Sequence, residues 1–203
     1  MDLNEVKFNL EKRGFKVSLF ENGKEVVSYL NKEIDNTTVG IGGSVTVKEL
    51  GLFDELKTHN TVWWHNDNKQ ALEYGVYAIR CNAANTDIYI SSVNAMSKDG
   101  IMINLDATGN RIASTVWGHK KCYYIIGVNK IEDDFEKAYN HVKNISAPRN
   151  VKRLNLKTPC AVKGDKCYNC NCEAKICRTF MIYEAPSKGQ DIEIIIVNQT
   201  LGY

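Results

Sequence analysis

The alternation of helical and strand-like hydrophobic patterns over the first third of the chain most constrains its fold. Leu3, Val6 and Leu10 recur at helical spacing, and Gly14 follows where a C-terminal cap belongs. Phe15, Val17 and Leu19 then alternate with Lys16 and Ser18 as a strand does, and Glu21-Asn22-Gly23 signals a turn. Residues 25–32 read as a second helix. A β-branched strand over residues 37–41 runs into Gly42-Gly43-Ser44. Helical spacing resumes at Val47, Leu50 and Leu56 with a break near Gly51, and residues 61–64 read as another strand. Helix and strand in turn imply an α/β fold, an open and mostly parallel sheet with helices on both faces.

The middle of the chain changes character. Residues 87–92, 100–105 and 122–128 are apolar, strand-like and close together, with turns at Lys98-Asp99-Gly100 and Thr108-Gly109-Asn110. Asp-Gly accepts the positive φ of a tight hairpin. Residues 133–145 form an amphipathic helix, with Phe135, Ala138, Val142 and Ile145 on one face and Asp133 as its N-cap. A basic linker is expected over residues 148–159. Two closing strands, residues 179–183 and 192–197, follow across a Pro186-Ser187-Lys188-Gly189 turn. A length of 203 residues suggests one domain. Its parts are a core over residues 1–148, a linker and cysteine loop over 149–178, and closing strands over 179–203.

A formal net charge of +2 gives no electrostatic case for nucleic acid, and the densest basic run, Arg149 to Lys157, reads as a solvated loop. No apolar run approaches the roughly 18 residues a membrane span needs. The polar N-terminus carries no signal-peptide pattern, so a cytoplasmic location is expected. In that setting seven cysteines point to metal ligands or core thiols rather than disulfides, and five of them fall between Cys160 and Cys177.

Two segments carry candidate chemistry. The first is Gly40-Ile41-Gly42-Gly43-Ser44, which leaves a strand and enters a helix. Glycines let backbone approach a ligand closely, and a helix N-terminus offers N–H groups to an anion. Ser44 either caps the helix or bonds the ligand, while Thr46 and Glu49 alternatively form a capping box. No Gly-Lys-Ser/Thr follows, and Val45 replaces the third glycine of a dinucleotide fingerprint. A plain strand-to-helix turn fits the same residues. The second segment supplies Asn94, Asn104, Asp106, Asn110 and Arg111 at strand ends and loops, where α/β sheets bind ligands. Arg111 suits a carboxylate or phosphate, and Asp106 suits a base. Alternatively, Asn94 and Asn104 satisfy buried backbone while Asp106 and Arg111 pair with each other. Of the histidines, only His119 is expected near this pocket. Trp63 and Trp64 straddle a strand and are read as core or interface.

Gly-Gly-Ser-Val-Thr-Val-Lys-Glu-Leu-Gly, paired with Ala-Met-Ser-Lys-Asp-Gly, Asn-Leu-Asp, Gly-Asn-Arg and Gly-Val-Asn-Lys, resembles the LUD-domain family, which includes the lactate-utilization C protein. The resemblance implies a fold like that of sugar-phosphate isomerases and CoA transferases. It also implies a role as subunit or accessory in oxidising a 2-hydroxy acid, lactate to pyruvate, with iron–sulfur partner subunits. Carried over by position, the family motif falls on Gly42, Gly43, Ser44, Thr46, Asn94, Asn104, Gly109, Asn110, Arg111 and Lys130 as ligand-binding residues. Glu49 and Asp106 become the candidate catalytic bases. Ala107 and Thr108 stand where many relatives carry an extra glycine. A stand-alone isomerase or transferase with Glu49 as nucleophile, or a non-enzymatic electron-transfer module, are the alternatives. The expected substrate is a small anion, and a homo-oligomer is expected.

The cysteine run reads Cys160-x6-Cys167-x2-Cys170-x-Cys172-x4-Cys177. A Cys-x2-Cys pair chelates on one tight turn. The 6-2-6 spacing of Cys160, Cys167, Cys170 and Cys177 resembles a clostridial-type subset of the family and makes these the four expected ligands, with Cys172 spare. Zinc and a [4Fe–4S] cluster both accept four thiolates. The redox context implied by the resemblance favours the cluster, and a purely structural knuckle favours zinc. Cys81 and Cys122 are expected as core thiols.

Overall fold

The computed structural model describes all residues, 1–203. The chain runs α1 (Leu3–Lys12), β1 (Lys16–Phe20), α2 (Gly23–Glu33), β2 (Thr38–Ile41), α3 (Val45–Glu49), α4 (Leu52–Leu56), β3 (Thr61–Trp64), α5 (Asn68–Tyr74), α6 (Val76–Ala83) and β4 (Ile88–Ser91). It continues with β5 (Ala95–Ser97), β6 (Met102–Asp106), α7 (Asn110–Val116), β7 (Lys121–Gly127), β8 (Ile131–Glu132), α8 (Phe135–His141), α9 (Ala147–Arg153), α10 (Pro159–Lys163), β9 (Thr179–Tyr183) and β10 (Ile192–Val197). Six strands form a parallel sheet in the order β1-β10-β7-β4-β2-β3. This is the open α/β architecture expected from the alternation. No helix is long and apolar enough to cross a membrane.

Period-2 alternation builds the two core layers. Ile192, Ile194 and Ile196 of β10 and Cys122, Tyr124 and Ile126 of β7 face α1 and the small sheet. Ile195, Val197, Tyr123 and Ile125 face α2, α3 and α4 on the other side. Burial on both faces explains why residues 192–197 are almost continuously apolar. The small sheet, ordered β8-β5-β6-β9, hangs beside the large one. Its Met96 and Met102 join the first core layer, while Ala95, Ile103 and Leu105 pack on Ala138, Val142 and Ala147.

Several local expectations need correction. The two closing strands enter different sheets: β9 pairs antiparallel with β6, whereas β10 lies between β1 and β7. Lys98-Asp99-Gly100 does turn the β5–β6 hairpin, with Gly100 at φ +90. Thr108-Gly109-Asn110 instead leads into α7. Asp134, not Asp133, caps α8 by accepting from Lys137 N, and Asp133 pairs with Lys98 and Lys137. The stretch read as a basic linker opens as helix: α8 passes through a π-helical turn, Val142–Ser146, into α9. Pro148 lacks a donor for an α-helical bond, and the wide turn just before it accommodates that loss.

Gly40 brings β2 hard against the end of α6. A Cβ there would stand 2.3 Å from Ala83 O and 2.8 Å from Thr86 Oγ1. Gly40→Ala is therefore expected to destabilise the fold by about 1–3 kcal/mol through overpacking against backbone. A thermal melt matching the parent's would refute this close approach.

Candidate functional site

The chain leaves β2 toward β3 at one edge, while the connection after β4 leads back to β7 on the other side. The crevice between diverging connections at strand C-terminal ends is where open α/β sheets bind ligands. Here it holds a cavity of about 260 Å³ lined from several elements. Gly43, Ser44 and Lys48 follow β2, His65 follows β3, Ser92 and Asn94 follow β4, Asp106 ends β6, and Lys130 follows β7. Arg80, Asn110, Arg111, Asn150, Arg153, Ile176 and Tyr203 complete much of the wall.

Of the residues singled out in the sequence, Gly43, Ser44, Asn94, Asp106, Asn110, Arg111 and Lys130 meet at this cavity. Gly42 lies just beneath it, where a Cβ would stand 3.2 Å from Arg111 Cδ and 3.0 Å from Tyr89 Oη. Trp64 Nε1 donates to Gly42 O at 3.3 Å and holds the glycine turn in place. Gly109 starts α7. Thr46 and Asn104 are fully buried supports behind the wall. Glu49 points elsewhere: its Oε2 accepts from Gly202 N at 2.7 Å, and it lines a separate groove with Gln199 and Leu201.

Ser44 caps α3 through Val47 N at 3.2 Å, so the proposed Thr46–Glu49 capping box does not form. With only five residues α3 carries a small dipole, and the case for an anion moves to the side chains. Asp106 is also engaged. Its Oδ2 accepts from Arg111 N at 3.1 Å and Ile112 N at 3.2 Å, and its Oδ1 from Ala107 N at 2.8 Å. It thus satisfies the orphan donors of α7 and does not pair with the Arg111 guanidinium.

Arg111 is 9% exposed, and its guanidinium meets four neutral acceptors: Ser92 O at 3.0 Å, Asn104 Oδ1 at 2.6 Å, Asn94 Oδ1 at 3.0 Å and Leu105 O at 2.7 Å. Lys130 is 3% exposed, and its Nζ donates to Thr46 Oγ1 at 2.7 Å, Ser92 Oγ at 2.9 Å and Val93 O at 3.3 Å. Neither forms an ion pair within the chain. Burial, followed by the charge of Arg111, draws the Lys130 ammonium down to about 7 against the opposing pull of Glu49. Lys48, Arg80 and Arg153 add three more cations to a lining whose one carboxylate is Asp106.

Sequence reasoning missed His65, Arg80, Ser92 and Tyr203. His65 had a readable signal, its place just beyond a strand's C-terminal end. Burial first, then Arg80, lowers its imidazole to about 4, so it stands neutral at physiological pH. His119, expected at the pocket, instead stacks on Tyr89 and bonds Thr86 O at 2.6 Å before β4, near the strand's opposite end.

The cysteine loop abuts this cavity. Ile176 lines it, Arg178 N donates to Asp106 O at 3.3 Å, and Cys160, Ile176 and Val151 pack as one buried group. Asn144 in the π-helical turn accepts from Cys167 N at 3.1 Å. Cys170 and Cys172 lie 3.6 Å apart at sulfur, so Cys172 is a close neighbour of an expected ligand. Burial, then the thiols of Cys167, Cys160 and Cys170 set against Lys143, pushes Cys177 up to about 11. No three His, Cys, Asp or Glu side chains stand as a closed ligand set. The donor chemistry, four soft thiols in one irregular loop with Cys160 on the preceding α10, is of the type zinc and iron–sulfur accept. Cys122 is buried as expected, whereas Cys81 is exposed.

Residues 3–198 match the LUD domain. The chain belongs to the LUD-domain family. That family is associated with lactate utilization. A crystal structure of a DUF162 family protein from Deinococcus radiodurans superposes with a TM-score of 0.53 at 9% identity, over 97% of this chain and 96% of that one. At that identity the likeness speaks for the shared fold alone. None of the curated proteins is similar to the chain in sequence.

Proposed function

We propose that this LUD domain binds a small organic anion in the crevice at the ends of β2 and β4, and serves as subunit or accessory in 2-hydroxy acid oxidation. The observation that carries the reading is the pair of buried cations, Arg111 and Lys130, which have no carboxylate partner and share Ser92. An unpaired buried charge costs several kcal/mol, and for Lys130 that cost is what draws the ammonium toward the neutral amine near pH 7. An anion seated between these groups and the other cations of the lining removes that cost. The cavity, about 260 Å³, is small for an organic-ligand pocket and suits a ligand of a few carbons.

The cysteine loop belongs to the same reading. Cys160, Cys167, Cys170 and Cys177 would hold a metal centre, with Cys172 beside Cys170. A [4Fe–4S] cluster there would supply an electron acceptor, whereas zinc would only order the loop. The contact of Ile176 with the cavity supports the first option, because it sets the residue next to Cys177 on the wall of the anion pocket.

Two measurements test this. Lactate, pyruvate or phosphate should raise the melting temperature of the full chain with saturation, and no response to any of the three would overturn the anion pocket. Anaerobically purified protein should contain iron and labile sulfide, lost in Cys177→Ser. Colourless, zinc-bearing protein would remove the electron-transfer role, and metal-free protein would remove the centre itself.

A further inference from the structure

We propose that Lys130 is a reactive amine, which condenses with the carbonyl group of a small anion held in this cavity to form an imine. The inference rests on the anion pocket proposed above and adds covalent chemistry to it. The geometry carries it. The Lys130 side chain follows β7 into the crevice, lines the cavity and is enclosed on its other sides. Its three partners are two hydroxyls and a backbone carbonyl. Hydroxyls both donate and accept: Thr46 and Ser92 accept from the ammonium while donating to Leu201 O and Val93 O, and either one can turn its hydrogen to the single lone pair of the neutral amine. A carboxylate partner would have locked the charged form. The neighbouring Arg111 cation further disfavours that form, and desolvation beside another cation is how a lysine becomes a nucleophile at neutral pH. Glu49, whose charge favours the ammonium, is bound to Gly202 N outside the cavity lining.

The step balances without an oxidant or reductant. The amine lone pair attacks the carbonyl carbon, the C–N bond forms as the C=O π bond breaks, and one amine proton passes to the oxygen. A second proton, taken from solvent, lets that oxygen leave as water while the nitrogen lone pair closes the C=N bond, so the protonated imine restores the cation beside the ligand's anionic group. Arg111 supplies positive charge on the cavity wall for that group. A 2-oxo acid and a phosphorylated ketone both present a carbonyl next to an anion.

Borohydride trapping tests the inference. The full chain is incubated with pyruvate, with dihydroxyacetone phosphate, or with lactate, each with borohydride, and adducts are mapped by peptide mass spectrometry. One adduct per chain is expected, on Lys130, with at least one of the two carbonyl compounds and none with lactate. Whether pyruvate or the phosphate is trapped identifies the anionic group preferred. Initial trapping rates should rise about tenfold per pH unit up to near pH 7 and then level off. Lys130→Met should abolish the adduct while retaining a cooperative melt. Should that variant not fold, the wild-type map still decides. Adducts scattered over exposed lysines overturn the inference. If pyruvate or the phosphate raises the melting temperature without being trapped, the inference fails and the anion pocket survives. If neither is trapped and lactate, pyruvate and inorganic phosphate all leave the melting temperature unchanged, both fall.

Discussion

Arg111→Lys should weaken anion binding by up to about 100-fold and destabilise the fold by about 2–4 kcal/mol. Both effects follow from the shape of guanidinium. Arg111 spreads its Nη1 and Nη2 donors over acceptors from three places: Ser92 O after β4, Asn94 Oδ1, and Asn104 Oδ1 with Leu105 O on β6. A lysine ammonium is a point charge and cannot reproduce a planar fork. At least two buried acceptors would be orphaned, at about 1–3 kcal/mol each. With all four Nη hydrogens held by these acceptors, the ligand meets Arg111 as a fixed charge on the cavity wall; a lysine displaces that charge and lets the wall collapse, and a lost charge-assisted contact of up to about 2.8 kcal/mol corresponds to 100-fold. Urea denaturation and calorimetric titration with lactate, pyruvate and phosphate measure the two effects separately. Wild-type affinity in a folded Arg111→Lys protein would show that this cation does not meet the ligand.

Much of the scaffold was legible because periodicity records burial. The strands at residues 61–64, 179–183 and 192–197 coincide with β3, β9 and β10. Local pattern does not record partners, so nothing in the turn at residues 186–189 tells that the strands on either side of it enter different sheets. The apolar run of β10 held the better clue, since a strand buried on both faces belongs inside a parallel sheet. The helices α5 and α6 left little trace. No residue of α5 is buried, α6 buries only Ile79 and Ala83, and Leu72 and Tyr77 stand 89% and 82% exposed, so the apolar positions of the pair do not line up as one stripe.

The site was legible in part for a similar reason. Glycines, asparagines and Arg111 sit in short motifs whose local chemistry is conspicuous. Arg80, Lys48 and Arg153 lie on helices where a cation reads as a solvated residue. Only the divergence of the chain after β2 and β4 gathers them around one cavity. Asp106 shows the opposite error. Its residue type suited a base, but the three backbone N–H groups it accepts are visible only once α7 is placed.

Glu193→Ala should cost about 3 kcal/mol, at the other end of the same sheet. Glu193 lies near the start of β10 and is 4% exposed. Its carboxylate accepts from Lys121 Nζ at 2.7 Å, Tyr29 Oη at 2.8 Å and Ser18 Oγ at 2.8 Å, which ties β7, α2 and β1 to the central strand. Removing one partner of a buried pair leaves the others desolvated and unmet, at about 3–5 kcal/mol, and the partial exposure of Lys121 places this case at the lower end. Burial works against the charge of Glu193, but the three donors outweigh it and hold the carboxyl below its ordinary value. A folded-state value below the unfolded one, about 4.3, makes the contribution full above that pH and lost as pH falls through the folded value. The stability gap between wild type and Glu193→Gln should therefore be constant near neutrality and shrink below about pH 4. Urea midpoints across that range give the measurement, and a gap that does not narrow in acid would rule out the linkage. Anion affinity should be unchanged in both Glu193 variants, because the residue stabilises the strand starts while Arg111 and Lys130 act beyond the strand ends. A loss of affinity without a loss of fold would mean that the two ends of the sheet are coupled.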